Sequence, residues 1–213
     1  NAVRLYRPRT TFFLTHRFKS TSKKRPGQGR HASPSKYTWI DCEMTGLDTK
    51  NDKIIQIAVL ITNDKLQILD PGIELVISHP AQVLEGMNEW SAKQHEKSGL
   101  LAAVKESTIT TEDAQQRVLE YISKRVAPGH GILCGSSVYY DRRFMENDMP
   151  NVIAHLSHRM IVDVSTIREL AKRWNSPIMK KIMHRATPAD HTAMSDIRAS
   201  IKQLAGYKRL WLR

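Results

Sequence analysis

Residues 53–62, Lys-Ile-Ile-Gln-Ile-Ala-Val-Leu-Ile-Thr, form a near-continuous apolar and β-branched run. A strand with one face in water alternates apolar and polar side chains; an unbroken run of this length suits a central strand covered on both faces. The neighbouring stretches fit that demand. Residues 37–40 read as a short strand, Asn63-Asp64-Lys65 as a turn, and residues 66–69 and 73–77 as strands interrupted by Pro71-Gly72. Three strands joined by short turns make an antiparallel start. From residue 80 the pattern becomes helical. Thr110 or Thr111 caps a helix with Glu112 and Asp113 in its first turn and Ala114, Val118, Tyr121 and Ile122 on its apolar stripe. Residues 131–134 form a short strand ending in Gly135-Ser136-Ser137. Residues 164–174 form a helix with Val164, Ile167, Leu170, Ala171 and Trp174 inward. Residues 175–190 read as a basic, proline-containing loop, and a last helix runs from about 192 to about 206 with Ile197, Ile201 and Leu204 inward. Strands followed by interleaved helices indicate an α/β domain built on a mixed β-sheet flanked by α-helices.

The chain has 213 residues, 40% hydrophobic and 25% charged, enough for one ordinary domain and a tail. Cys42 and Cys134 form no Cys-x-x-Cys or Cys/His cluster, so they read as buried thiols in a reducing compartment. No apolar run reaches the roughly 18–20 residues of a membrane span. The net charge of +12 divides unevenly. Residues 1–36 hold ten Lys/Arg and no acid; removing those ten from the total of 33 leaves 23 against 21 acids, a balance of +2 for residues 37–213. The basic excess therefore belongs to the tail and gives no argument for a nucleic-acid groove on the body. Residues 1–35, rich in Arg, Ser and Thr and free of acids, match an organelle transit peptide first, with a basic arm that helps hold RNA as the competing reading. Residues 36–213 are the globular domain.

The chemistry lies in carboxylates. Asp41 and Glu43 follow the strand at 37–40 one residue apart, so strand alternation points both to one face while Ile40, Cys42 and Met44 point to the other. Two acids on one face of a buried strand repel each other and resist desolvation, which calls for a cation; such oxygen ligands suit Mg²⁺ or Mn²⁺. Asp141 stands near the start of the helix after residues 131–134, and Asp196 on the last helix. His191 precedes Asp196 by five residues, about 140° around an ideal helix. It therefore sits at the helix entrance, not on the face of Asp196. Each has an ordinary reading when taken alone: a strand end meeting water, a helix cap, a solvated helix acid, a polar residue at a helix start.

Taken together, in order, these residues resemble the DEDDh 3′→5′ exonuclease superfamily, and within it the oligoribonuclease family. The resemblance is carried by Trp39-Ile-Asp-Cys-Glu-Met-Thr-Gly-Leu47, Ile54-Ile-Gln-Ile57, Gly86-Met-Asn-Glu-Trp90, Asp141-Arg-Arg-Phe144, Asp163-Val-Ser-Thr166, Glu169-Leu-Ala-Lys-Arg-Trp174 and His191-Thr-Ala-Met-Ser-Asp196. It covers about residues 37–207 and implies a ribonuclease H-like fold. It also implies two divalent cations, Mg²⁺ or Mn²⁺, held by Asp41, Glu43 and Asp196 with Asp141 completing the cluster, and His191 as general base. The implied substrate is a short RNA, down to a dinucleotide, cut to 5′-nucleoside monophosphates. Leu47 would wedge between its bases and Trp90 would supply a stacking surface, with core packing as the other reading of both. Ser137, Arg159 and Ser165 would cap its 5′ phosphate, with His95 from a partner protomer closing that end. A homodimer and a mitochondrial location, with the cytoplasm as a second compartment, follow from the same resemblance. Two departures bear on the cap. His158 stands where the family carries a tyrosine, and one extra residue lies between Arg159 and Asp163, which puts the strand register there in question. The stretch Thr187-Pro-Ala-Asp190 is also atypical.

Overall fold

The computed structural model describes residues 36–184 and 192–212, within the compact unit Ser33–Arg213. Five strands, β1 (Lys36–Met44), β2 (Ile54–Thr62), β3 (Ile73–Val76), β4 (Gly131–Gly135) and β5 (Ile161–Asp163), form one sheet in the order β3-β2-β1-β4-β5. β1, β2 and β3 pair antiparallel, whereas β4 and β5 run parallel to β1. The helices are α1 (Ala81–Glu85), α2 (Glu89–Lys97), α3 (Leu100–Glu106), α4 (Thr111–Ser123), α5 (Tyr139–Asp148), α6 (Pro150–His155), α7 (Val164–Trp174), α8 (Ser176–His184) and α9 (Ala193–Leu210). This is the expected mixed sheet flanked by helices.

β2 is interior and buried along its whole length. Its side chains divide between two cores. Ile57, Val59 and Ile61 join Ile40 and Cys42 of β1 against Val118 and Ile122 of α4 and Phe144 and Met145 of α5. Ala58 and Leu60 join Trp39 against Ala171 of α7 and Ile197, Ile201 and Leu204 of α9. A strand apolar on both faces thus has helices on both faces, and burial of this kind supplies most of the stability of such a sheet.

The α4 start is as read from sequence: the Thr110 side chain accepts from Asp113 N while Asp113 accepts from Thr110 N, a reciprocal capping box. Three local expectations are corrected. Residues 66–69 are not a strand. Asn63 Oδ1 accepts from Lys65 N and Gln67 N at 3.0 Å, Leu66 takes a left-handed φ of 67°, and one bridge, Thr62 to Ile68, is all the pairing there. Residues 176–184 are helix, not loop. Pro177 falls in the first turn, where its missing N–H leaves no bond unmade, and Ile178, Met179 and Ile182 pack on the α7/α9 core. Trp174 is not inward but 70% exposed, edge-on to Trp211, because α7 ends there and α8 covers the core beyond Ala171.

Candidate active site

Asp41 and Glu43 lie at the C-terminal end of β1, paired in register with Ala58 and Gln56 of β2. They occupy the Trp39 face of the strand, toward α9, as alternation requires. The apolar run at 54–61 contains one polar residue, and its purpose is visible here. Gln56 Oε1 accepts from Ala193 N at 3.3 Å, and Gln56 Nε2 donates to Glu74 Oε1, which accepts in turn from Met194 N. The first N–H groups of α9, which have no partner within a helix, are thereby satisfied by side chains from β2 and β3. That anchoring brings Asp196, in the first turn of α9, to the two acids of β1. Ligand oxygens of Asp41, Glu43 and Asp196 lie within 4.8 Å of one another.

Asp141 approaches from the other side of the strand end. It is buried in the first turn of α5, and its Oδ1 accepts from Cys42 N at 2.8 Å. The four carboxylates repel strongly. Burial first, then the charges of Asp141, Asp196 and Glu43, hold Asp41 well above the usual carboxylate range. Burial, followed by Asp196 and Asp141, pushes Glu43 up to about 7. Asp141 rises to about 7 through burial, even though the hydrogen bond from the Cys42 backbone works the other way. Acids placed this way are a poor arrangement for an empty protein and a good one for hard, oxygen-seeking divalent cations, so the donor set fits the expected metals.

Around this cluster the structure places the remaining candidates. Leu47 is 69% and Trp90 71% exposed, so neither is a core residue. Leu47 sits on a loop made rigid by Asp52, whose carboxylate accepts from Thr45 Oγ1 and Asp48 N. A Cβ on Gly46 would lie 2.4 Å from Asp52 Oδ2, which is why glycine precedes Leu47. Asn147 of α5 binds the same loop through Thr49 O. Trp90 is in the first turn of α2, capped by Asn88.

His95 lies beside the acidic cluster of its own chain. It is 6% exposed, its Nε2 donates to Met44 O at 2.9 Å, and its Nδ1 faces Glu43 Oε2 of its own chain at 4.0 Å. The ring stands against the end of β1 that carries Glu43. The tautomer follows from the carbonyl, which can only accept. Ser137 is exposed at the end of β4. Ser165 begins α7, and its hydroxyl donates to Asp163 Oδ1 at 2.6 Å. His158 and Arg159 are exposed in the bend ahead of β5. The register concern is answered there: β5 pairs regularly with β4, Cys134 with Val162 and Gly135 with Asp163. His191 and Thr187-Pro-Ala-Asp190 lie outside the described residues. Sequence reasoning passed over Gln56, Glu74, Asp52 and Asp163 as individual site-builders. For Gln56 a signal was present, a lone amide in an apolar strand.

Residues 38–204 match the Exonuclease (RNase_T) family model. The oligoribonuclease of Acinetobacter baylyi is 44% identical over 170 residues, spanning 80% of this chain and 91% of the relative. The chain belongs to the oligoribonuclease family of exonucleases. Within that family, the mitochondrial oligoribonuclease of Homo sapiens is 43% identical over 170 residues, covering 80% of this chain and 70% of the human protein. Among solved structures, E. coli exonuclease I in complex with a dA16 oligonucleotide superposes with a TM-score of 0.66 at 13% identity, over 84% of this chain and 42% of that one. At that identity the likeness concerns the fold, which is ribonuclease H-like. Family membership and the acidic cluster together support divalent metal use.

Proposed function

We propose that this protein is a metal-dependent 3′→5′ exoribonuclease that degrades short oligoribonucleotides, down to dinucleotides, to 5′-nucleoside monophosphates. The observation that carries the reading is the convergence of Asp41, Glu43 and Asp196 at the end of β1 in a chain of the oligoribonuclease family. Those three would hold two cations, Mg²⁺ or Mn²⁺, with Asp141 completing the cluster. Such ions, when bound, make water acidic enough to attack at neutral pH and offset charge on the leaving 3′ oxygen. The chain's own groups do the remainder. His191 takes the proton of the attacking water, an imidazole's ordinary task near neutral pH. One P–O bond forms to that water, the bond to the 3′ oxygen breaks, and the proton returns to that oxygen. Leu47 separates the two bases and Trp90 offers a face for stacking. Ser137, Arg159 and Ser165 receive the 5′ phosphate, with His95 from a partner protomer closing that end, and the homodimer this requires is proposed from the family resemblance; His158 stands where the family carries a tyrosine. The slight charge of the body suits this substrate, since a dinucleotide makes few phosphate contacts and needs no long basic groove. The mitochondrion is the proposed location, supported by the mitochondrial relatives and the transit-like composition of residues 1–35. Among the described residues no helix is long and apolar enough to cross a membrane.

The deciding experiment is a timed digest of labelled RNAs from two nucleotides to about twenty, using the full chain with Mg²⁺. Dinucleotides are expected to be consumed fastest. Equal or faster consumption of the longest RNAs overturns the reading and leaves an exonuclease for longer 3′ ends; an absence of turnover at every length leaves an RNA-binding protein on the same fold.

A further inference from the structure

Asp196 reaches the acidic cluster from a helix that does not cap itself. Thr192 stands at the N-cap of α9, and its side chain makes no capping bond. The first N–H groups of a helix need partners from elsewhere when no cap supplies them. Gln56 provides one, and Glu74 provides another by accepting from Met194 N at 3.2 Å. Glu74 lies on β3, a four-residue strand at the edge of the sheet.

The turn leading into that strand, Asp70-Pro71-Gly72, also touches α9. Gly72 has a φ of 89°, and a Cβ there would lie 2.7 Å from Val59 O and 2.9 Å from Met194 Cε. Only glycine fits a turn wedged so closely between β2 and the first turn of α9. Pro71 O accepts from the Arg198 guanidinium at 3.4 Å. The turn therefore meets α9 at residues 194 and 198, on either side of Asp196 along the chain.

Asp70 holds the turn. Its Oδ1 accepts from Gly72 N at 2.9 Å, the bond of an Asx-turn, and from the Tyr121 hydroxyl at 2.6 Å. Its other oxygen accepts from Arg125 Nε, and the Arg125 guanidinium lies 3.9 Å over the Tyr121 ring. Tyr121 belongs to α4 and to the core on the sheet face opposite α9. A bond network that served α4 alone would end at Asp70. This one continues around the β3 edge, through Gly72, to Met194.

We propose that Asp70 is a positioning residue for the metal site. Through the turn at 70–72 it holds the first turn of α9, and with it Asp196, against the end of β1. The inference rests on the cation site proposed above and extends it to a carboxylate that touches neither metal nor substrate.

The test measures Mn²⁺ binding to the full chain by calorimetric titration at pH 8, beside kcat and KM on a dinucleotide. Asp70→Ala is expected to weaken Mn²⁺ binding roughly three- to tenfold, less than the 10–100-fold typical of a group bonded directly to a metal ligand. At limiting Mn²⁺ kcat should fall in step, excess Mn²⁺ should recover part of it, and KM for the dinucleotide should stay within about twofold. Asp70→Asn keeps an acceptor for Gly72 N and the Tyr121 hydroxyl and should restore much of the affinity. If Asp70→Ala does not fold, Tyr121→Phe decides the matter by a smaller weakening in the same direction. A lowered unfolding midpoint in chelator with Mn²⁺ affinity unchanged would show Asp70 to be a tie for α4 alone and overturns the proposal. A wild-type chain that binds no Mn²⁺ overturns the cation site itself, a separate failure.

Discussion

Asp41, Glu43 and Asp141 are carried by paired strand positions and a buried helix start, while Leu47, Trp90, Ser137 and Arg159 stand exposed on loops and helix edges. The first group is held tightly where its charges are least comfortable. The second is held by small local devices: the Asp52 bonds under Leu47, the Asn88 cap beneath Trp90, the Asp163 bonds behind Ser137. The difference teaches where each part of the reaction is controlled. Chemistry that depends on carboxylates converging within a few ångströms needs a rigid sheet end, and the cost is electrostatic strain in the metal-free fold. Recognition of a two-nucleotide ligand needs exposed apolar and hydroxyl surface, and costs the fold little.

The comparison breaks most sharply at Asp41. Asp41→Asn removes one ligand while keeping shape, and kcat for a dinucleotide should fall on the order of 10³-fold or more, with KM little altered. The same variant should unfold at a higher temperature than wild type in chelator at pH 8, because it removes a repelling charge; a loss of activity accompanied by a loss of stability would mean that Asp41 is structural. A middle-sized effect belongs to Gln56→Leu. It leaves Ala193 N without its acceptor in a buried setting, which costs roughly 1–3 kcal/mol and loosens Asp196. Both the unfolding midpoint and kcat should drop; an unchanged kcat would detach α9 anchoring from the metal site. The smallest effect is at Trp90. Trp90→Ala should raise KM about tenfold, the value of one base stacked on an aromatic ring, without moving the unfolding midpoint. A large loss of stability there would place Trp90 in the fold despite its exposure.

Sequence alone made the sheet legible wherever one local rule had no competitor. The β2 run demanded two covered faces and has them, and the Asp-x-Glu alternation placed both acids on the α9 face. Reading failed where a local preference lost to packing or to a side-chain bond. Pro177 suggested a loop, but proline is tolerated in a first helical turn, and three apolar side chains at helical spacing outweighed it. Trp174 looked inward by periodicity, yet the next helix had already covered the core. Within the site, the acids were legible because their type and spacing carry chemistry. The hydrogen bond from His95 to Met44 O was not legible, because no local rule says which carbonyl a histidine will find. Asp163 and Gln56 were hidden for a related reason: their partners lie 26 and 137 positions along the chain, a distance that only the folded sheet closes.

The account depends most on the strain of the carboxylate cluster and its relief by cations. Glu43 and Asp141 titrate near 7 in the folded protein, against 4.5 and 3.8 for the ordinary groups. Between those values the folded state binds more protons than the unfolded one, so metal-free stability must fall as pH rises from about 4 through about 7. For Glu43 alone the shift corresponds to roughly 3 kcal/mol. The direct measurement is the thermal unfolding midpoint of the wild-type chain from pH 4.5 to 8, in chelator and in Mg²⁺ or Mn²⁺. The midpoint in chelator should decline across that range, and the divalent ion should restore it, most strongly at pH 8. A midpoint in chelator that is flat or rising with pH, together with no response to either ion, would contradict the claim that these acids form a cation site.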